Sequence, residues 1–256
     1  MPSVAVIMPV FNSSPQFLKE AIDSIVVNQT YRGPITLVII NDGSTSQRTV
    51  QYLESVEQMN PRKIRVFTLD ENRGIAEALN RGMQVAFEIQ ADFIARMDSD
   101  DVSVSQRIET QINYFLRNPE IDIVGSNILM FNEQNRSLAS SKVMSYPTMD
   151  KLIKFNMLFH CCLVHPSVMF RAQSIGSKLQ YNTEDPDVRA FEDYELWLRL
   201  IHSPEPPKFA NIGSILLLLR KHGSNTSAGV SLENEIPMKV NILSNYYING
   251  DLRDAL

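Results

Sequence analysis

Cysteine is nearly missing from this chain of 256 residues, which has only the neighbours Cys161 and Cys162. Adjacent cysteines cannot build a disulfide framework, and so few of them suit a reducing compartment. Long apolar runs are missing as well. The longest purely apolar runs are of the type "ILLLL", Ile215 to Leu219, far short of the roughly 20 residues that a membrane-spanning helix needs. The opening "MPSVAVIMPVF" has too short an apolar run, and too little positive charge before it, for a secretory signal. A basic excess is also lacking: 24 Lys and Arg face 29 Asp and Glu, for a net charge of -5. Bulk charge therefore gives no reason to expect nucleic acid or an anionic membrane as partner. No repeat, low-complexity tract or linker divides the chain. The expectation is a soluble, cytoplasmic protein whose length allows a substantial core.

What is present is an alternation. Val4 to Met8 is a short continuous apolar run of the kind that forms a strand buried on both faces, and Ile35 to Ile40, Ile64 to Leu69 and Ala91 to Ala95 give the second, third and fourth strands. Between them, Phe17, Leu18, Ala21, Ile22, Ile25 and Val26 recur at helical spacing. So do Val50, Leu53 and Val56, and then Ile75, Ala78, Leu79 and Met83. The order βαβαβαβ predicts an α/β fold with a mostly parallel central sheet flanked by helices. The second half is less regular. The pattern predicts a helix from Val104 to Arg117, strands at Ile121 to Gly125, Ile128 to Phe131 and Cys161 to Phe170, and a helix over Glu192 to His202. "IGSILLLLRKHGSN" reads as a strand leaving into a loop. Trp197, on the apolar face of the Glu192 helix, reads as core. The tail from Leu232 to Leu256 carries Ile236, Val240, Ile242, Leu243 and Tyr247. It suits, in that order, a helix packed on the domain, a homodimer contact or a membrane-surface contact.

The polar clusters fall at the ends of the strands: "PVFN", "NDGS", "DENRG" and "DSDD". In open α/β sheets, ligands bind outside the carboxyl ends of the strands, so these four loops define a candidate site. Asp98 and Asp100 leave an extended chain on the same side. They make a seat for Mg²⁺ or Mn²⁺, which favour oxygen ligands and share them with substrate phosphates; a hydrated acidic turn, with Asp101 or Ser103 capping the next helix, is the alternative. Asp42 either anchors the "NDGS" turn or accepts hydrogen bonds from a nucleobase or ribose. Arg73 either holds a phosphate or base edge or is simply solvated. Glu192 and Asp193 either favour a helix dipole or supply a general base. His222 is either a surface histidine or a Mn²⁺ ligand.

In order, "VAVIMPVFN", "VIINDGSTS", "DENRGIAEALNRGM", "IARMDSDD", "VHPSVMFR", "FEDYELWLRL" and "LRKHGSNTS" resemble the motifs of family 2 glycosyltransferases of the GT-A fold, covering Val4 to Ser227. The resemblance implies one GT-A domain over residues 1–227, with a nucleotide-binding half (1–101), a smaller mixed acceptor-side half (102–227) and a C-terminal helical tail (228–256). It implies inverting transfer from a nucleotide-diphosphate sugar, most often a UDP-sugar, to a glycan, lipid-linked or protein acceptor. Asp42 then holds the base, in a pocket lined by Pro9, Phe11 and Asn12, with Arg73 and Asp98 on the donor. Asp100, Asp101 and His222 hold the metal on the diphosphate, and Asp193 is the base. Two positions depart from the family pattern: Asn41 stands where an aspartate is common, and Leu79 where an arginine often precedes the asparagine. The acidic loop also fits the D-x-D-x-[TV] pattern of haloacid-dehalogenase-like phosphatases, and a non-catalytic nucleotide-sugar binder is a third reading.

Overall fold

Seven consecutive buried residues make the first strand, β1 (Val4–Val10), and the runs that follow build β2 (Ile35–Asn41), β3 (Ile64–Thr68) and β4 (Phe93–Arg96). The computed structural model describes residues 1–137, 140–185, 188, 191–223, 239–244 and 246. The intervening apolar stripes are helices: α1 (Pro15–Val26), α2 (Gln47–Met59) and α3 (Ile75–Glu88). Pro15 opens α1, where its missing N–H is no loss. The Ser46 side chain caps α2 by accepting the Thr49 N–H. Helix α3 lies so close to the sheet that a Cβ on Gly82 would stand 2.4 Å from Ile7 Cγ2.

Strands β3, β2, β1 and β4 lie side by side in that order and run parallel. The chain thus winds outward from β1 in one direction as far as β3, then returns to place β4 on the other side of β1. That reversal leaves a crevice beyond the carboxyl ends of β1 and β4, the usual seat of a ligand in such a sheet.

The rest of the chain extends the same sheet. A two-residue strand, β5 (Val102–Ser103), follows the acidic turn and precedes helix α4 (Arg107–Arg117). Then come β6 (Ile123–Asn132), β7 (Lys142–Met144), helix α5 (Asp150–Asn156), β8 (Met169–Arg171), a short helix α6 (Ala172–Ile175), α7 (Glu192–Ile201) and β9 (Phe209–Lys221). Beyond β4 the order continues β8, β6, β9, β5, with β7 on β6. Strand β8 is antiparallel to both β4 and β6, and β5 is antiparallel to β9.

Two expectations are corrected here. Ile121–Gly125 and Ile128–Phe131 are not two strands: β6 is continuous, and its pairing with β9 slips at Ser126 and Asn127. Cys161–Phe170 is not one strand either, because His165–Ser167 is a 3₁₀ turn and only its last two residues enter β8. Pro166 has no N–H for a ladder. Strands β5 and β7 and helix α5 had not been foreseen; the two strands have too few residues for any periodicity.

Trp197 of α7 is fully buried, as expected, with Phe170 at 6.0 Å and Phe209 at 6.5 Å between ring centroids. Burying a large apolar side chain contributes about 1.5–3 kcal/mol. Residues 239–244 of the tail are helical, with Ile242 buried and Val240 exposed. This segment packs on α7, where Tyr246 donates its O–H to Glu195 Oε1 (2.5 Å). Ile236 and Tyr247 lie outside the described residues. Among the described residues no helix is long and apolar enough to cross a membrane.

Candidate active site

The crevice is a cavity of about 590 Å³ whose lining includes Pro9, Phe11, Asn12, Asp42, Asp98, Asp100 and His222. Asn12, at φ 51°, turns the chain out of β1. Its Oδ1 accepts the N–H groups of Thr45 (2.9 Å) and Ser46 (2.8 Å), which ties the first loop to the second. Asp42 is buried and accepts from the backbone N–H of Arg73 (2.8 Å) and of Gly74 (2.9 Å), and from Asn72 Nδ2 (3.0 Å). Its carboxylate therefore anchors the third loop at the start of α3 rather than its own turn. Burial raises its pKa above the usual aspartate value, while the Arg73 and Gly74 N–H groups pull the other way. Gly43, at φ 62°, is required where these loops touch: a Cβ there would lie 2.4 Å from the Glu71 carbonyl carbon. Asn41, in the place of the family's aspartate, accepts the Ser44 N–H through Oδ1 (3.1 Å).

Arg73 departs from this group. Its backbone is held by Asp42, but its side chain is half exposed, 3.7 Å from Glu71, and is not in the lining of the cavity. At the other departure from the family pattern, Leu79 is buried, and Asn80 staples α3 to Tyr181 by two hydrogen bonds, of 2.7 and 2.9 Å.

The acidic turn closes the crevice. Asp98, Asp100 and Asp101 bring carboxylate oxygens within 4.8 Å of one another. Each is engaged differently. Asp98 pairs with Arg96, which is almost wholly buried. Asp100 Oδ2 lies 2.8 Å from His222 Nε2. Asp101 Oδ1 accepts the Arg220 N–H (2.8 Å), while its Oδ2 is buried without a hydrogen-bond partner. Burial, then the charges of Asp98 and Asp100, push the Asp101 pKa well up. For Arg96, burial works against the charge, but Asp98 outweighs it and keeps the guanidinium cationic. Hard oxygen donors beside an imidazole, one of them buried and unsatisfied, suit Mg²⁺ or Mn²⁺. Such ions take one or two protein carboxylates and complete their shell with phosphates, so the residues present fit the metal.

A second cavity of about 390 Å³ adjoins the first, and its lining includes Arg96, Cys161, His165, Glu192 and Asp193. Asp98, Asp100 and Ile75 line both cavities. Glu192 and Asp193 stand at the start of α7, where Asp193 Oδ1 accepts the Tyr194 N–H (2.7 Å) and Oδ2 lies 4.0 Å from Cys161 Sγ. Burial raises the pKa of Asp193; burial and then the charge of Asp193 raise that of Glu192 to about 7. A carboxylate made more basic in this way is a better proton acceptor near neutral pH. Below it, His165 Nε2 and the Tyr181 hydroxyl are 2.6 Å apart, and burial followed by Arg96 holds the His165 pKa well below normal.

Sequence reading passed over Arg96, Arg220 and His165. A signal existed for the two arginines. Each follows directly on an apolar run, "FIAR" and "ILLLLR", and a cation there needs a buried partner.

With the geometry in place, comparisons with known proteins bear on it. Staphylococcus aureus TarS, residues 1–349, in complex with UDP-GlcNAc, superposes with a TM-score of 0.66 at 16% identity, over 95% of this chain and 67% of that one. The shared architecture is the GT-A α/β fold. The description "Glycosyl transferase family 2" matches residues 5–174, and the chain belongs to that family. The O-antigen biosynthesis glycosyltransferase WbnJ of Escherichia coli is 31% identical over 227 residues, 87% of this chain and 81% of that protein. An E. coli UDP-Gal:alpha-D-GlcNAc-diphosphoundecaprenol beta-1,3-galactosyltransferase is 30% identical over 77% of this chain and 67% of its own. The bifunctional glycosyltransferase pgtA of Dictyostelium discoideum is 31% identical over 90% of this chain, which spans only 32% of it. The phosphatase alternative loses its ground: the acidic loop follows the fourth strand, not the first, and Asp98 is engaged by Arg96.

Proposed function

We propose that this protein transfers a sugar, with inversion, from a UDP-sugar to a hydroxyl of a lipid-linked saccharide during polysaccharide assembly. One observation carries the reading: two cavities meet at a shared acidic wall, with candidate nucleotide contacts on one side and a buried carboxylate on the other. The names of the E. coli relatives and the UDP-GlcNAc complex of TarS support the choice of donor and acceptor class.

In this reading the first cavity takes the nucleotide. Pro9, Phe11 and Asn12 line the base pocket, Asp42 receives its polar edge, and Asp98, steadied by Arg96, faces the donor sugar. Asp100, with Asp101 and His222, holds a divalent cation, which supplies positive charge for the diphosphate as it departs. Arg73 stays a candidate donor contact only through movement of its exposed side chain. The acceptor hydroxyl lies in the second cavity beside Asp193. Its oxygen bonds to the anomeric carbon as the bond from that carbon to the phosphate oxygen breaks. The bonding pair leaves with UDP, and the hydroxyl proton passes to Asp193. Attack from the face opposite the leaving group inverts the centre.

Calorimetric titration with a panel of nucleotides and nucleotide sugars, with and without Mn²⁺, tests the reading. UDP and one UDP-sugar should bind, weaken sharply without metal, and weaken again in Asp100→Ala. Absence of nucleotide binding under every metal condition overturns it.

A further inference from the structure

One side chain given no role so far ties the acidic turn to α1 and to the end of β6. Arg220, near the end of β9, is fully buried. Its backbone N–H donates to Asp101 Oδ1 (2.8 Å), and its Nε donates to the Asp100 carbonyl (2.6 Å). The far side of the guanidinium pairs with Glu20 of α1 (2.7 Å) and with Glu133, just past β6. The rings of Phe17 and Phe131 lie 4.5 and 5.0 Å from its central carbon. Arg136 reaches the same two glutamates, at 3.0 and 2.8 Å, so their charge is shared by two arginines.

Burying a charge this fully is costly unless its partners are well placed, so the arrangement calls for a reason. The strand supplies it. Directly after the acidic turn, Val102 and Ser103 pair with Leu218 and Leu217 of β9. Arg220 and His222 follow two residues apart, so in extended chain their side chains leave on the same side. The first grips the backbone of Asp100 and the second meets its carboxylate (2.8 Å). A planar guanidinium can serve carboxylates on one edge and a carbonyl on another at the same time; an ammonium cannot hold that geometry.

We propose that Arg220 is a positioning residue for metal binding: it clamps Asp100 and Asp101 against β9, so that the turn and His222 are already aligned when the cation arrives. This rests on the transferase reading above. The test is calorimetric binding of UDP at a series of Mn²⁺ concentrations to the wild type, to Arg220→Lys and to Glu133→Gln, with a thermal melt of each. The Lys variant should need roughly tenfold more Mn²⁺ for half-maximal UDP binding, the scale of loss seen when groups supporting metal ligands are removed. Binding should recover at saturating metal. Glu133→Gln loosens the clamp from outside the turn and should move the Mn²⁺ requirement in the same direction by a smaller factor, which keeps the test open if the Lys variant does not fold. Variants that melt lower yet titrate with Mn²⁺ as the wild type does would show that Arg220 only supports the fold, and the proposal fails. A wild type without metal-dependent UDP binding overturns the transferase reading and this inference together.

Discussion

Replacing Glu192 by glutamine should change how stability depends on pH, and by an amount that the structure sets. Glu192 is only 9% exposed, and its Oε2 has no hydrogen-bond partner. Burial, then the charge of Asp193, moves its pKa from 4.5 to about 7. In the unfolded chain the group loses its proton near 4.5, so between that value and 7 the native state binds more protons. Stability must then fall as pH rises through this window. Once Glu192 is ionised, above pH 8, the folded state is less stable by about 3 kcal/mol, at 1.36 kcal/mol per unit. Glutamine removes that penalty but buries an amide of its own, at a cost of about 1 kcal/mol. The amide cost is the same at every pH and cancels from a difference. Urea unfolding of both proteins from pH 5 to 8.5 should therefore show the variant gaining on the wild type by about 2–3 kcal/mol across the range. Asp193, raised in the same direction by burial, leaves some slope in both. Parallel curves for the two proteins would refute the argument.

Three further outcomes are expected. Asp193→Asn should lower kcat by 10²- to 10⁴-fold, the usual worth of a general base, while calorimetry finds donor affinity unchanged; preserved turnover would show that Asp193 is not the base. Trp197→Ala should destabilise by about 3–5 kcal/mol and lower the melting temperature by about 10 °C, because the ring fills the core between Phe170 and Phe209. Gly43→Ala places a Cβ against the Glu71 backbone at a left-handed φ, for a strain of about 1–3 kcal/mol. Its effect should appear mainly as weaker UDP binding, measured by titration, since Asp42 and the third loop move together.

The first hundred residues were legible because the strands are mostly apolar, β1 and β2 nearly without interruption, and each helix carries one apolar stripe. Residues 4–10 and 35–41 are long enough for periodicity to speak. The second half was harder for a physical reason. β5 has two residues and β8 three, and they exist because neighbours far away in the chain offer them ladder positions. The acidic turn could be located from its charge. What stabilises it could not, because Glu20, Glu133 and Arg220 meet across up to 200 positions of sequence and share no local pattern. Arg73 shows the converse: a residue type suited to phosphate, in the right loop, whose backbone is fixed while its side chain faces outward.

The pairing of β5 with β9 has a consequence for how the protein is made. The turn at Asp98 to Asp101 leaves the ribosome more than a hundred residues before the strand that fastens it. Until Arg220 has been synthesised, the N-terminal half has its parallel strands but lacks the partner that closes their rim. Ligand binding should therefore be a property of the finished chain, acquired late and all at once. A fragment ending at residue 101 should fold, if at all, into a scaffold with an open corner.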